Sequence, residues 1–359
     1  MNRREKLITA FLYSLFAFSL VLVGFGWREP GIQYWQNKPQ EILGFYTGAE
    51  PGLPSSEASM VTNSRDITFI APFFFRIKAD GSGIEKWNNT STGQINATVE
   101  LAHSKNIRVL ALVHNLLYGK SNTGEQAAHE VLKNAKTRHR FVGQVLQLVQ
   151  TTRCDGVNID IETILPQDGN NFSLLIRELK TTFAKNGLLV TVSVPAKTRD
   201  SYPGQWGEPF NYKEIGNWAD RVVVMAYDEH GFSSGPGPIA STTWLEDVIR
   251  YSVRVIPRDR LLLGVPAYGF DWSDNKKPAY LSFQKAIETA KLKNVVPEFD
   301  ENFKVPHFNY EVDNKNHQVW FENTISSRYK IELAQRNGLQ GIAIWRLGME
   351  DPGIWNDKL

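Results

Sequence analysis

Residues 154–162 read CDGVNIDIE. Asn158, Asp160 and Glu162 occupy every second position, and Val157, Ile159 and Ile161 fill the gaps. A β-strand sends alternate side chains to opposite faces, so this stretch carries a polar row and an apolar row. Two readings fit the alternation alone. One is a half-exposed antiparallel strand with its polar row in water. The other is a barrel strand with that row aimed inward. Carboxylates close together on one face repel, and burial is costly unless they are used or paired.

The surroundings favour the second reading. Apolar, β-branched runs of strand length recur: ILGFYTG (42–48), ITFIAPFFFRI (67–77), IRVLALVHN (107–115), CDGVNIDIE (154–162), LLVTVSVPAK (188–197), RVVVMAYDEH (221–230), RLLLGVPAYGFDW (260–272) and GIAIWRLGMED (341–351). Amphipathic helical patterns lie between them, over 137–152, 171–187, 243–256 and 327–338. Near-continuous apolar strands alternating with such helices indicate a parallel sheet covered on its outer side. Eight units over residues 41–359 predict a closed (β/α)8 barrel, an α/β fold. A Rossmann-like sheet is the alternative. It requires a G-x-G-x-x-G fingerprint after the first strand, and GFYTGAEPG (44–52) does not fit.

The connection after the seventh strand is too long for a barrel loop. Residues 273–323 hold a helical stretch (283–293) and strand-like pieces such as HFNYEV and HQVWFE, which predicts a small α+β insertion on the catalytic face. It would wall a cleft or merely decorate the rim.

The 359 residues are 42% hydrophobic and 22% charged, an ordinary globular composition. A net charge of +2 gives no field for nucleic acid or another polyanion. A single cysteine, Cys154, excludes an intramolecular disulfide and a thiolate metal cage. The seven histidines show no ligand spacing, so no metal or other cofactor is expected. Nothing calls for a second copy, and the chain reads as a monomer. Aromatic residues reach 12%, with 10 tryptophans, which serves a large core or a surface that stacks on sugar rings.

The first residues carry Arg3, Arg4 and Lys6, and the run Leu7–Trp27 has no charge. At ~1.5 Å per residue it reaches roughly 30 Å, the thickness of bilayer hydrocarbon. The basic flank keeps residues 1–6 cytoplasmic and exports the rest. Residues 1–27 thus read as a cytoplasmic stub with a transmembrane helix, a membrane anchor in preference to a cleaved signal, since no A-x-A follows. Residues 28–40 read as a tether.

In a barrel strand the apolar row packs against helices and the polar row climbs inside towards the C-terminal rim. Two carboxylates at this spacing raise at least one pKa, as a general acid needs near neutral pH. Here the sequence resembles a known family. DGVNIDIE resembles the D-x-x-D-x-D-x-E signature of glycoside hydrolase family 18, matched at Asp155, Asn158, Asp160 and Glu162. VVVMAYDEH resembles the family's M-x-Y-D segment, and GIAIWRLG its strand-eight tryptophan. APFFFRIKADGSG, LLLGVPAYGFDW and GLQGIAIWRLGMEDPGIW resemble the branch of bacterial spore-germination and cortex-fragment hydrolases. The likeness covers residues 41–359.

The resemblance implies a retaining glycosidase acting next to N-acetylglucosamine, with the substrate's acetamide as nucleophile. It implies Glu162 as acid and then base, Asp160 holding the acetamide N–H, and Tyr227 donating to the acetamide oxygen. Trp345 would floor the sugar site, and Asp228 would hold a hydroxyl or orient Tyr227. Asp155, of the opposite parity, reads as structural. Met225, Tyr46, Asn115 and Tyr268 stand at strand ends and are expected to line the cleft. His230 reads as a satisfied strand-end histidine. The family's Asp is replaced by Asn158, which cannot share a proton, so Asp160 should ionise more easily than in an Asp–Asp pair. Peptidoglycan fragments are the expected substrate, with chitin oligomers as an alternative. A non-catalytic sugar-binding barrel, also found in the family, is opposed by the joint presence of Glu162, Asp160 and Tyr227.

Overall fold

A computed structural model describes residues 41–356 apart from 49, 51, 117–122, 201–205 and 274–276. The anchor and tether expected over 1–40 lie outside the described residues. Among the described residues no helix is long and apolar enough to cross a membrane.

In chain order the strands are β1 (Glu41–Tyr46), β2 (Phe69–Pro72), β3 (Phe75–Ile77), β4 (Ile84–Lys86), β5 (Arg108–His114), β6 (Gly156–Asp160), β7 (Leu189–Pro195), β8 (Arg221–Met225), β9 (Leu261–Pro266), β10 (Tyr268–Ser273), β11 (Ala279–Ser282), β12 (Glu298–Asp300), β13 (Val305–Val312), β14 (Lys315–Phe321) and β15 (Gly341–Trp345). Eight of them, β1, β2, β5, β6, β7, β8, β9 and β15, pair in parallel. The pairing of Phe69 with Arg108 and of Ile70 with Val109 closes the ring between β2 and β5. The fold is the expected (β/α)8 barrel.

Two expected strands divide, both at prolines. The run 67–77 stops at Pro72, which offers no N–H to a ladder. After the break β3 pairs with β5 at Val113 and His114 and antiparallel with β4. The run 260–272 leaves the barrel after Pro266, and β10 joins a second sheet. That sheet has the order β11-β10-β14-β13-β12 and packs on the helix Phe283–Leu292. The insertion is therefore present but begins at Tyr268, five residues earlier than its composition indicates.

Helices cover the barrel where periodicity places them. The helix Ala135–Thr152 starts at Asn134, whose side chain accepts from Thr137 N at 3.0 Å, and it buries Phe141, Val142, Val145 and Val149. Each such side chain contributes roughly 1.5–3 kcal/mol of burial. On β6, Val157 and Ile159 are fully buried. Inside the barrel, Leu43, Phe45, Phe69, Leu110, Leu112, Val223, Leu262 and Ala343 form one cluster. Asn158 is also fully buried. It donates to Thr191 Oγ1 at 2.9 Å and accepts from Ser193 Oγ at 3.1 Å, both hydroxyls belonging to β7. The polar row of β6 thus faces inward among the layers of the interior.

Candidate active site

Above that interior lies a cavity of about 580 Å³, within the range of small-molecule sites. Its lining includes Asp160, Glu162, Met225, Tyr227, Asp228, Tyr268 and Trp345, each a residue singled out from sequence. Phe45, Phe73, Trp87, Trp206, Phe232, Phe270, Tyr280 and Arg346 complete much of the wall.

The end of β6 supplies the two carboxyls. Asp160 is 2% exposed, and its Oδ1 has no hydrogen-bond partner. Burial pushes its carboxyl up to about 7, opposed by the hydroxyl of Ser193. Replacing the family's carboxylate by Asn158 therefore does not leave Asp160 an ordinary acid, because burial alone disfavours its charge. Glu162 is held well above the usual range, first by burial and then by the carboxylates of Asp160 and Asp228. Two adjacent carboxyls whose charged forms are both disfavoured can hold a proton near neutral pH, as acid–base work requires.

The segment after β6 is clamped. Asn115 Oδ1 accepts the Glu162 N–H at 3.0 Å, while its Nδ2 donates to Gly124 O, Thr163 O and Thr163 Oγ1 at 3.0, 2.7 and 2.9 Å. Trp206 Nε1 donates to Glu162 O at 2.5 Å. The Glu162 backbone is fixed on both its polar atoms.

Tyr227 and Asp228 follow β8. The Tyr227 phenol is held far above its usual range by burial and by Asp160, Glu162 and Asp228, in that order. It stays a donor across the working pH range. Room beneath it comes from Gly264 on β9, where a Cβ would lie 2.6 Å from Val224 O and 3.0 Å from Tyr227 Cε1. Asp228 adopts φ 60°, a strained backbone for a non-glycine residue and a common mark of functional sites. Its Oδ1 accepts from the Tyr268 hydroxyl. Burial raises the Asp228 carboxyl, and that hydrogen bond opposes the shift.

Trp345 closes the opposite wall. Its ring meets Phe45 edge-on at 5.2 Å and Phe73 at 5.8 Å. Trp345 is half-buried and lines the cavity.

Two residues expected to line the cleft stand outside this cavity. Tyr46 points to the other side of β1, where its hydroxyl donates to Glu57 at 3.4 Å, and Phe45 takes its place in the cavity. Strand parity carries that signal, since Leu43 and Phe45 share the inner face. Asn115 is fully buried and is not among the lining residues; it holds the Glu162 segment from below. Asp155 sits at the start of β6, far end from the rim, and accepts from Val109 N at 2.7 Å and pairs with His103 Nε2 at 2.9 Å. His230 Nδ1 faces Gly235 O at 3.1 Å and does not line the cavity. Trp206 follows a segment with no strand or helix pattern, so no signal in the sequence marked it. No group of three or more His, Cys, Asp or Glu among the described residues could hold a metal ion.

Comparison with known proteins agrees with this geometry. The uncharacterized glycosylase YvbX of Bacillus subtilis is 32% identical over 258 residues, 71% of this chain and 75% of the relative. The cortical fragment-lytic enzyme of Bacillus anthracis is 29% identical over 317 residues, 85% of this chain and 71% of the relative. Among solved structures, a chitinase from Chromobacterium violaceum superposes with a TM-score of 0.79 at 28% identity, covering 88% of this chain and 97% of that one. The model of glycosyl hydrolases family 18 matches residues 34–350, and with the carboxyls at the end of β6 this establishes that the chain belongs to that family of glycoside hydrolases.

Proposed function

We propose that the protein is a retaining glycosidase that cleaves β-1,4 bonds next to N-acetylglucosamine in peptidoglycan fragments, with the substrate's own acetamide as nucleophile. One observation carries the reading. Asp160 offers a buried acceptor without a partner, two residues before a carboxyl whose charge is disfavoured by burial and by its carboxylate neighbours, and beside a phenol kept neutral. An acetamido group presents an N–H and a carbonyl, and Asp160 and Tyr227 complement that pair.

In the first step the acetamide oxygen attacks the anomeric carbon. The glycosidic bond breaks, and Glu162 gives its proton to the leaving oxygen. Ionised Asp160 accepts the acetamide N–H and stabilises the positive charge that develops on the resulting oxazolinium. In the second step water adds to the anomeric carbon, Glu162 takes its proton, and the acetamide is restored. Trp345 stacks on the ring throughout.

Peptidoglycan is favoured by the likeness to the cortical fragment-lytic enzyme. Chitin oligomers are a second substrate, favoured by the chitinase neighbour and by the aromatic lining. The uncharged run Leu7–Trp27 would hold the enzyme at the outer face of a membrane, and recovery of the full-length chain only in the soluble fraction would overturn that placement. The mechanism is tested with residues 28–359 on both glycans, comparing wild type with Glu162→Gln. The expected loss is about 10²–10⁴ in kcat, the usual worth of positioned proton transfer. Substrates lacking the acetamide should resist hydrolysis. Equal rates with and without the acetamide would exclude it as nucleophile.

A further inference from the structure

A second chamber of about 380 Å³ opens beside the main cavity and shares Thr47, Glu50, Phe73, Trp87 and Asn88 with it. An unbranched run of unsubstituted sugars needs one groove. A chamber that branches from that groove fits a substituent carried by one of the sugars. We propose that this chamber receives a peptide substituent with a free amine on a sugar held in the main cavity; the inference rests on the glycosidase reading above.

Three observations define the chemistry. Thr47 borders both spaces, is 7% exposed, and its Oγ1 has no hydrogen-bond partner. A hydroxyl at the mouth of the branch can donate to the acyl carbonyl through which a peptide is attached. Past it, the side-chain amides of Asn88, Asn89 and Gln94 line the wall, offering donors and acceptors to peptide groups. Glu50 and Glu57 are the charged residues of the lining, and both are acidic. Glu50 faces Arg346 Nη2 at 3.9 Å, so Glu57 supplies the chamber's uncompensated charge, which favours an ammonium group over a carboxylate.

The chamber can be filled without touching the sugar site. Ala97 is an exposed position of the helix Thr92–Ser104 and faces the chamber but not the main cavity. Three substrates would be compared: a disaccharide-peptide with its amine free, the same molecule N-acetylated on that amine, and a peptide-free N-acetylglucosamine oligomer. For Ala97→Trp, the ratio of kcat/KM on the peptide-bearing substrate to that on the peptide-free one is expected to fall about tenfold relative to wild type. Ala97→Leu should give a smaller fall in the same direction. Glu57→Gln should erase the preference for the free amine over the acetylated one. Unchanged ratios in all three variants would overturn the proposal. If wild type cleaves none of the three, the glycosidase reading fails instead. Calorimetric binding of the disaccharide-peptide then decides the chamber separately, equal affinity for wild type and Ala97→Trp counting against it.

Discussion

Asn115 Oδ1 accepts the backbone N–H of Glu162 at 3.0 Å, a link between the ends of two neighbouring barrel strands. The same amide donates to Thr163, so one fully buried side chain sets where the Glu162 backbone stands. Asn115→Ala leaves the Glu162 N–H and the Thr163 carbonyl short of their partner. The expected cost is about 1–3 kcal/mol of stability. A misplacement of Glu162 should lower kcat by about 10- to 100-fold with little change in KM. Steady-state kinetics beside a thermal melt checks this, and wild-type kcat in a destabilised variant would show that the amide serves only the fold.

Asp160 costs the fold stability when it ionises. Its folded pKa of about 7 lies above that of an unfolded aspartate, ~3.9. The native state therefore holds more protons than the unfolded state between those values, and stability drops as pH rises through that window. Asp160→Asn removes the penalty. Its melting temperature should exceed that of wild type at pH 8, converge with it near pH 4, and its activity should collapse. A gain of equal size at both pH values would show that burial of charge is not the cause.

Asn158 separates Asp160 from the deeper interior without adding charge. Asn158→Asp introduces a like charge two residues away, which raises the Asp160 pKa further. The acid limb of kcat/KM should move to higher pH. An acid limb in its wild-type position would end the coupling argument.

Gly264 accommodates the Tyr227 ring. Gly264→Ala forces a methyl group to within 3.0 Å of that ring and 2.6 Å of Val224 O. Overpacking of this kind costs about 1–3 kcal/mol. Activity should fall more than stability, because the displaced phenol is the proposed donor to the acetamide oxygen. Full activity with a lowered melt would relieve Tyr227 of that role.

Lys330 and Glu322 form a fully buried ion pair at 2.7 Å, joining the helix Thr324–Arg336 to the residue after β14. Glu322→Leu strands the ammonium and should cost about 3–5 kcal/mol. Glu322→Leu with Lys330→Met together should recover most of that loss, as followed by chemical denaturation.

The barrel was legible because its signals are periodic. Alternation in β6 and helical spacing at Phe141, Val145 and Val149 report burial by neighbours that are close in sequence or fixed by the fold. What escaped depends on turns. Pro72 and Pro266 cut two apolar runs that look continuous, and the second cut hands Tyr268–Ser273 to another sheet. At the end of β1, strand parity, not polarity, decides which ring enters the cavity, and it places Phe45 there instead of Tyr46. Asn115 looked like a lining residue since strand-end amides often face substrate; here its partners are backbone atoms. Trp206 reaches the site from a loop, and no local pattern encodes where a loop returns.

Tyr268 belongs to two structures at once. Its hydroxyl holds Asp228 above the barrel, and its carbonyl accepts Glu322 N at the root of the inserted sheet. A lineage that lost or exchanged this insertion would surrender part of its catalytic rim in the same event. Insertion and rim are therefore one structural unit at Tyr268, whereas the outer turn of the distal hairpin β13–β14 at Asp313 and Asn314 bears no cavity residue.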